Sequence, residues 1–241
     1  MVRFILLDIE GTTTDIFFVH EVLFPYSEKR LSAYVATHAE DESVRQALES
    51  VKETIQQEEK RSMTDAEAVD VLQSWIRQDR KHTALKQLQG MIWKEGFETL
   101  QYQGHVYDDV PRALQNWQRK GIELGIYSSG SVQAQKLLFG HSIFGDLTPM
   151  FSHYFDTRVG GKREVSSYQN ILAELNLAPM EVLFLSDVEA ELDAARLAGM
   201  RTIQLVREGT QASTRHETAA TLLSIALPDD TPAKKPLRKF F

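Results

Sequence analysis

The chain has 241 residues, 42% of them hydrophobic, which is enough for one large α/β domain or for a core with a smaller second unit. Its formal net charge of −7 gives no general electrostatic reason to expect a nucleic acid or an anionic membrane as a partner. The chain has no cysteine, which excludes disulfides, thiolate metal sites and a cysteine nucleophile.

The sequence shows neither a membrane span nor an export signal. No stretch approaches the roughly 18 consecutive apolar residues that a membrane-spanning helix needs. The apolar run within residues 1–8 is too short for a secretory signal. We therefore expect a cytoplasmic protein.

The first predicted element is a strand at residues 2–8, VRFILLD, which is rich in apolar residues and ends in an aspartate. The segment 19–100 that soon follows reads as helical throughout, without a strand pattern. Its helical stretches are residues 28–38, 42–61, 64–79 and 84–100. We interpret residues 19–100 as a helical cap inserted after the first strand.

Short apolar runs alternate with amphipathic segments in the rest of the chain. The runs predict strands that are buried on both faces, at residues 123–129, 181–187 and 201–206, with a weaker candidate at 153–157. The predicted helices are residues 108–121, 131–140, 164–175 and 189–199. This alternation indicates an α/β fold, a doubly wound parallel sheet of Rossmann-like type.

The domain organisation follows from these patterns. Residues 1–18 and 101–226 are predicted to form the α/β core, and residues 19–100 the inserted cap. The end of the chain, residues 227–241, combines prolines with basic residues, which is typical of a mobile tail.

Polar side chains follow several of the predicted strands or precede a predicted helix. They are Asp8, Glu10, Ser128, Ser129, Lys162 and Asp187. In an open parallel sheet, ligands bind outside the carboxyl ends of the strands. We therefore expect three carboxylates, two hydroxyls and one amine to converge on one crevice.

Each of these groups has a simpler structural explanation when it is taken alone. Asp8 suits a turn or a helix cap, and Ser128, in the run SSGS, suits the cap of the next helix. Lys162 is typical of a solvated lysine, and Asp187 suits the positive start of a helix. Their joint placement at one rim of the sheet is what favours a functional site.

The chemistry of these groups points to phosphate. Carboxylates placed together repel each other unless a cation intervenes, and oxygen ligands without Cys or His suit Mg²⁺. Lys162 would offset the charge of a phosphate dianion, while hydroxyls and amides at residues 128–131 would hold its oxygens. The residues therefore predict phosphoryl transfer to Asp8 from a small phosphorylated substrate, with Mg²⁺ as cofactor.

Four segments resemble, in order and spacing, the motifs of the haloacid dehalogenase-like hydrolases. These segments are LLDIEGTTTD, IYSSGS, VGGKRE and FLSDVEAE. The resemblance implies that Asp8 is the nucleophile, forms an aspartyl-phosphate and also binds Mg²⁺. It implies that Glu10 protonates the leaving group and then activates water, with its backbone carbonyl as a further metal ligand.

The same resemblance implies roles for the other polar residues. Ser128 and Ser129 match the position that holds the phosphate, and Lys162 matches the lysine that stabilises charge. Asp187 matches the metal-binding carboxylate. Glu191, four residues further on, would support the metal site without binding the metal directly.

Glu10 narrows the resemblance to a subfamily, since most phosphatases of this group have Asp at the matching position. The extra methylene moves the proton donor by roughly an ångström, which matters at hydrogen-bonding range. The segments DIEGTTTDIFFVHEVLFPY, IYSSGSVQAQKLLFGHS and FDTRVGGKREVSSY resemble the enolase-phosphatase (acireductone synthase) family of methionine salvage, over about residues 2–209.

This narrower resemblance implies a monomeric, bifunctional, Mg²⁺-dependent enzyme. Its substrate would be 2,3-diketo-5-methylthiopentyl-1-phosphate, which is enolised and then dephosphorylated to the acireductone 1,2-dihydroxy-3-keto-5-methylthiopentene. Glu10 is the first candidate for the enolisation base, and His20 is the second. Apolar residues that either line a pocket for the thioether tail or pack inside the cap are Phe17, Phe18, Val19, Leu23 and Phe24.

Three other functions stay open at this point. A phosphatase for another small phosphorylated metabolite would share every catalytic residue. A dehalogenase would use the aspartyl nucleophile without a metal, and the carboxylates Glu10 and Asp187 argue against it. A binding or scaffold protein on the same fold is the non-enzymatic alternative, and it is disfavoured because all four motif positions carry chemically competent residues.

Overall fold

A computed structural model describes residues 1–227 of the chain. The predicted tail, residues 227–241, lies outside the described residues apart from Leu227. The described residues form two units. The first unit consists of Met1–Thr12, Asp108–Tyr127 and the described residues from Met150 onward, and the second consists of Thr13–Tyr107 and Ser128–Pro149.

The first unit contains a six-stranded parallel sheet. Its strands are β1 (Phe4–Leu7), β2 (Glu123–Tyr127), β3 (His153–Phe155), β4 (Val182–Ser186), β5 (Arg201–Leu205) and β6 (Glu217–Ala219). Their order is β3-β2-β1-β4-β5-β6, and all neighbours are parallel. The order reverses between β1 and β4, which makes the sheet doubly wound and confirms the predicted fold class.

The central strand β1 explains why the sequence begins with a continuous apolar run. All four of its residues are buried, as a strand covered on both faces requires. It pairs in register with β2, Phe4 opposite Glu123, and with β4, Phe4 opposite Val182. Because the strands are parallel, Asp8 after β1 and Asp187 after β4 emerge at the same edge of the sheet.

The α-helices within residues 1–227 are divided between the two units. In chain order they are α1 (Phe24–Thr37), α2 (Glu42–Glu59), α3 (Asp65–Arg77), α4 (Thr83–Glu98), α5 (Val110–Arg119), α6 (Val132–Gly140), α7 (Val165–Leu175) and α8 (Glu189–Leu197). Helices α5, α7 and α8 belong to the first unit. Its core combines apolar residues of the sheet with residues of α7 and α8, among them Phe4, Phe184, Ile171 and Leu192.

The second unit is helical and has its own core. In α2 the buried residues Val44, Leu48, Val51 and Ile55 recur at the spacing of one helix face. They pack in one cluster with buried residues of α1, α3 and α4. Helix α3 begins at a capping box, in which Thr64 accepts from the backbone of Glu67 and the Glu67 carboxylate accepts from the backbone of Thr64.

The helical structure begins close to the start of the predicted helical segment, residues 19–100. A π-helix at Phe18–Leu23 runs directly into α1, which has Pro25 in its first turn. The indole N–H of Trp93 donates to the carbonyl of Leu23 (2.8 Å) at the end of this π-helix. This start agrees with the predicted segment 19–100 and lies ten residues before residue 28, where the first helical stretch named from the sequence begins.

The predicted insertion, residues 19–100, lies inside the second unit. That unit also contains residues 13–18, 101–107 and 128–149, because α6 packs on α4. A role of this unit as a cap stays a prediction. No helix within residues 1–227 is long and apolar enough to cross a membrane.

Candidate active site

Asp8 lies at the carboxyl end of β1 and is almost completely buried, with 4% of its surface exposed. Its backbone N–H donates to the carbonyl of Leu185 (2.9 Å), which continues the pairing of β1 with β4. A buried carboxylate needs a charged or hydrogen-bonding partner. The Lys162 ammonium supplies one, since it forms an ion pair with Oδ1 of Asp8.

The Lys162 ammonium lies between two carboxylates. The second is that of Glu191 on the first turn of α8, with Nζ and Oε2 2.7 Å apart. Burial alone would lower the pKa of Lys162, but the charges of Asp8 and Glu191 outweigh burial and raise this pKa above its ordinary value. Lys162 is therefore a fixed positive charge beside Asp8.

Glu191 is held in place from two sides. Its Oε2 also accepts a hydrogen bond from Oγ of Ser186 (2.9 Å), the last residue of β4. Burial and the charge of Asp8 raise the pKa of Glu191 above its ordinary value, against the opposing effect of Lys162. The Lys162 ammonium thus pairs with two buried carboxylates, and these three side chains together retain an excess of negative charge.

Asp187 follows β4 and is fixed through its backbone. Its N–H donates to Oγ1 of Thr12 (3.0 Å), and its carbonyl accepts from Nε2 of Gln204 (2.9 Å). Its carboxylate oxygen Oδ1 is buried and has no hydrogen-bond partner among the described residues. Burial, followed by the charges of Asp8 and Glu10, raises the pKa of Asp187 to about 7.

Gly11 allows the loop after β1 to approach Asp187 closely. Its φ of +71° lies in the left-handed region, which favours glycine. A Cβ at this position would collide with the carboxylate of Asp187. The glycine of the DIEG segment is therefore required both by the backbone conformation and by the neighbouring side chain.

The first unit offers a donor set that fits a hard cation. Asp8, Glu10, Asp187 and Glu191 carry four formal negative charges against the one ammonium of Lys162. A cation would relieve the repulsion by Asp8 and Glu10 that helps to raise the pKa of Asp187, and it would be coordinated by the unpartnered Oδ1 of Asp187. Oxygen donors of this kind suit Mg²⁺.

The number of carboxylates also bears on the kind of cation site. Within residues 1–227, no group of three or more His, Cys, Asp or Glu side chains is arranged to hold a metal ion. Mg²⁺ is commonly bound by one or two carboxylates together with water and substrate oxygens. The residues present fit that mode of binding rather than a cage made by protein side chains.

Ser128 and Ser129 belong to the second unit. Ser128 is buried, and its Oγ accepts from the N–H of Gly130 (3.1 Å), while the exposed Ser129 accepts from Lys86 through its carbonyl (3.3 Å). The residue that caps α6 is Ser131, whose Oγ accepts from the N–H of Ala134 (3.2 Å). Helix capping thus accounts for Ser131 but not for Ser128 or Ser129, whose phosphate-binding role stays a prediction.

The apolar residues at the start of the second unit differ in exposure. Phe18 and Leu23 are buried, and Phe24 stacks on Trp93 with ring centroids 6.2 Å apart. Phe17 is 60% exposed. Packing within the unit therefore explains Phe18, Leu23 and Phe24, whereas Phe17 stays available to a ligand. Val19 is half-buried, and the exposed His20 meets the ring of Phe24 edge-on (5.5 Å).

Sequence reasoning missed the residues that fix the backbone of the site. Nη2 of Arg207 donates to the carbonyl of Thr12 (3.0 Å) and to both carboxylate oxygens of Asp109 (3.1 and 3.0 Å). Thr12 in turn accepts from the N–H of Asp187. No local pattern marks Arg207 or Asp109, because their partners lie far away in the sequence.

Comparisons with known proteins show the family to which the chain belongs. A family model described as haloacid dehalogenase-like hydrolase matches residues 2–199. Enolase-phosphatase E1 of Methylococcus capsulatus is 51% identical over 91% of this chain and 96% of its own length. Enolase-phosphatase E1 of Yersinia enterocolitica is 51% identical over 90% of this chain and 93% of its own.

A solved structure is also similar to the whole fold. The UTR4 protein of Saccharomyces cerevisiae is 34% identical to this chain, with a TM-score of 0.76. The match covers 93% of this chain and 100% of the UTR4 chain. The resemblance inferred from the four motifs is thereby confirmed. The chain belongs to the haloacid dehalogenase-like hydrolases and, among them, to the enolase-phosphatase E1 family.

Proposed function

We propose that the chain is a Mg²⁺-dependent enolase-phosphatase that acts on 2,3-diketo-5-methylthiopentyl-1-phosphate in methionine salvage. The observation that supports this best is the pairing of the buried Asp8 carboxylate with Lys162 at the end of β1, in a chain whose relatives are named enolase-phosphatases. A cytoplasmic location and a monomeric state stay predictions.

The residues proposed to hold Mg²⁺ are Asp8, Asp187 and the backbone carbonyl of Glu10. When bound there, the ion would supply positive charge that offsets the charge of phosphate and polarises a carbonyl of the substrate. The unpartnered buried oxygen of Asp187 supports this assignment. Glu191 contacts Lys162 and Ser186, so its part is to hold the lysine in place.

Phosphoryl transfer would begin at the carboxylate of Asp8. One of its oxygens attacks phosphorus, and the bond between phosphorus and the ester oxygen breaks as Glu10 donates a proton to that oxygen. Glu10 then removes a proton from water, which attacks the phosphorus of the aspartyl-phosphate; the bond between phosphorus and the Asp8 oxygen breaks, which releases inorganic phosphate and restores the carboxylate. Lys162 would offset the negative charge that develops during both steps.

Enolisation would precede dephosphorylation. A base removes a proton from the carbon next to a carbonyl group, and the electron pair moves onto that carbonyl to give the enol after protonation. Glu10 is our first candidate for the base, and His20 is the second. Ser128 and Ser129 are proposed to hold phosphate oxygens, on the basis of the motif IYSSGS, and Phe17 is the most exposed of the apolar residues proposed for the thioether tail.

The proposal is tested by following both half-reactions in one sample. The purified protein is mixed with the diketo phosphate and Mg²⁺ while the absorbance of the enol and free phosphate are recorded together. We expect the enol to appear before phosphate or together with it. Asp8→Asn and a metal-free sample are the controls, and both should release no phosphate.

Other outcomes separate the alternatives. Release of phosphate from other small esters but not from the diketo phosphate would indicate a phosphatase of different specificity. Phosphate release that persists without Mg²⁺ would contradict the metal assignment. An absence of turnover on every ester would favour a binding protein that retains the fold.

A further inference from the structure

Three consecutive carbonyl groups in the loop before α7 accept hydrogen bonds from three buried hydroxyl groups. The bonds run from Oη of Tyr127 to the carbonyl of Gly160 (2.9 Å), from Oγ of Ser167 to that of Gly161 (2.7 Å) and from Oη of Tyr168 to that of Lys162 (2.6 Å). All three donor residues are 0% exposed. We call these three donors the carbonyl clamp.

The loop that the carbonyl clamp holds is packed tightly. Gly160 has a φ of +127°, and a Cβ on it would collide with Oγ of Ser167. A fourth donor, Asn170 of α7, acts one residue earlier, where its Nδ2 donates to the carbonyl of Val159 (3.0 Å). Four consecutive carbonyls of the loop, those of residues 159–162, are therefore held by side-chain donors, chiefly from the helix that follows the loop.

The donors of the carbonyl clamp are themselves held by the core. The rings of Tyr127 and Tyr168 meet edge-on with centroids 5.6 Å apart, and Tyr168 also packs on Phe184 (5.2 Å). Burial raises the pKa of both tyrosines, so each hydroxyl keeps its proton and acts as a donor. The ring of Tyr127 lies 5.8 Å from the Lys162 ammonium.

We infer that Tyr127, Ser167 and Tyr168 are positioning residues that set the placement of the Lys162 ammonium beside the carboxylate of Asp8. The backbone of Lys162 is fixed directly by Tyr168, and its side chain reaches Asp8 and Glu191 from that anchor. This inference rests on the proposed function only in that Lys162 offsets charge during phosphoryl transfer.

A purely structural role makes a different prediction from a positioning role. Loss of a structural hydrogen bond lowers the melting temperature and the fraction of folded protein, but the folded molecules retain their kcat. Loss of a positioning bond lowers kcat of the folded enzyme while KM changes little. Displacement of a catalytic group by about an ångström can cost roughly a hundredfold in rate.

The test uses Tyr168→Phe and Ser167→Ala, each of which removes one hydroxyl group. The matched control is Tyr102→Phe, because the Tyr102 hydroxyl also donates to a backbone carbonyl, that of Trp93 (3.2 Å), but lies in the second unit. We measure melting temperature, kcat and KM for phosphate release. We expect kcat to fall roughly ten- to hundredfold for Tyr168→Phe and Ser167→Ala, and to stay unchanged for Tyr102→Phe.

A double-mutant cycle then links the carbonyl clamp to Lys162. If Tyr168 acts through Lys162, Tyr168→Phe has no further effect on the residual rate of Lys162→Met. Equal fold-losses in both backgrounds would overturn the inference, as would an unchanged kcat in Tyr168→Phe and Ser167→Ala. If the unaltered chain released no phosphate at all, the proposed function itself would fail and the inference with it.

Discussion

Arg207 is a buried cation whose removal we expect to destabilise the first unit strongly. Its side chain is 8% exposed and that of its partner Asp109 is 11% exposed. Arg207→Met would take away the donor to both oxygens of Asp109 and to the carbonyl of Thr12. Removing one partner of a buried ion pair costs about 3–5 kcal/mol, because the other charge stays buried without its counter-ion.

That loss should be visible in thermal unfolding followed by circular dichroism. For a chain of this size, about 1 kcal/mol shifts the midpoint by roughly 2–4 °C, so Arg207→Met should lower it by roughly 6–20 °C. The matched control is Arg77→Met, which breaks a 2.7 Å ion pair to Glu28 in which Arg77 is 58% exposed and should shift the midpoint little. Adding Asp109→Leu to Arg207→Met should recover part of the loss. Equal midpoints for Arg207→Met and Arg77→Met would show that the buried ion pair of Arg207 contributes no more to stability than an exposed one.

Three further predictions concern single residues. Gly11→Ala should abolish phosphate release and weaken Mg²⁺ binding measured by calorimetry, because its Cβ collides with Asp187; unchanged values would contradict this. Glu10→Gln should lower kcat roughly 10²–10⁴-fold with KM nearly constant, and a normal kcat would exclude Glu10 as the acid and base. The Arg215 hydrogen bond lowers the pKa of Glu189 from 4.5 to about 2, so Glu189 stabilises the fold above pH 4.5 and loses this effect as the pH falls toward 2. Glu189→Gln should therefore lower the unfolding midpoint at pH 7 by an amount that shrinks on acidification, whereas a constant difference would argue against the ion pair.

The sheet was predictable from the sequence where strands are covered on both faces. Phe4–Leu7 and Val182–Ser186 are fully buried, so each must be a continuous apolar run that no amphipathic helix would show. The strand Glu217–Ala219 was missed for the opposite reason. It has three residues, two of them exposed, and exists only because it pairs with the edge of β5.

The grouping of elements into units was less predictable. Helix α6 follows β2 in the chain, at the place where the alternation of strands and helices predicts a helix of the α/β core. It belongs to the second unit because it packs against α4, which lies about forty residues earlier in the chain. Such long-range packing depends on the shapes of both surfaces and leaves no periodic signal in either segment.

In the candidate site, too, some residues could be predicted from the sequence and others could not. Asp8 and Lys162 are 154 residues apart, yet motif order and the rule for parallel sheets anticipated their meeting. Tyr127, Ser167 and Tyr168 escaped notice because their hydroxyls act on backbone carbonyls. A backbone carbonyl is present at every position, so no residue pattern reveals which one a side chain will bind.

Trapping of the aspartyl-phosphate would show whether Asp8 accepts the phosphoryl group. The protein is mixed with the diketo phosphate and Mg²⁺, quenched in acid during turnover, digested and analysed by mass spectrometry. We expect one added phosphoryl group on the peptide that contains Asp8, and none in Asp8→Asn. Turnover that releases phosphate while the Asp8 peptide stays unmodified, or a phosphoryl group found on another residue, would contradict it.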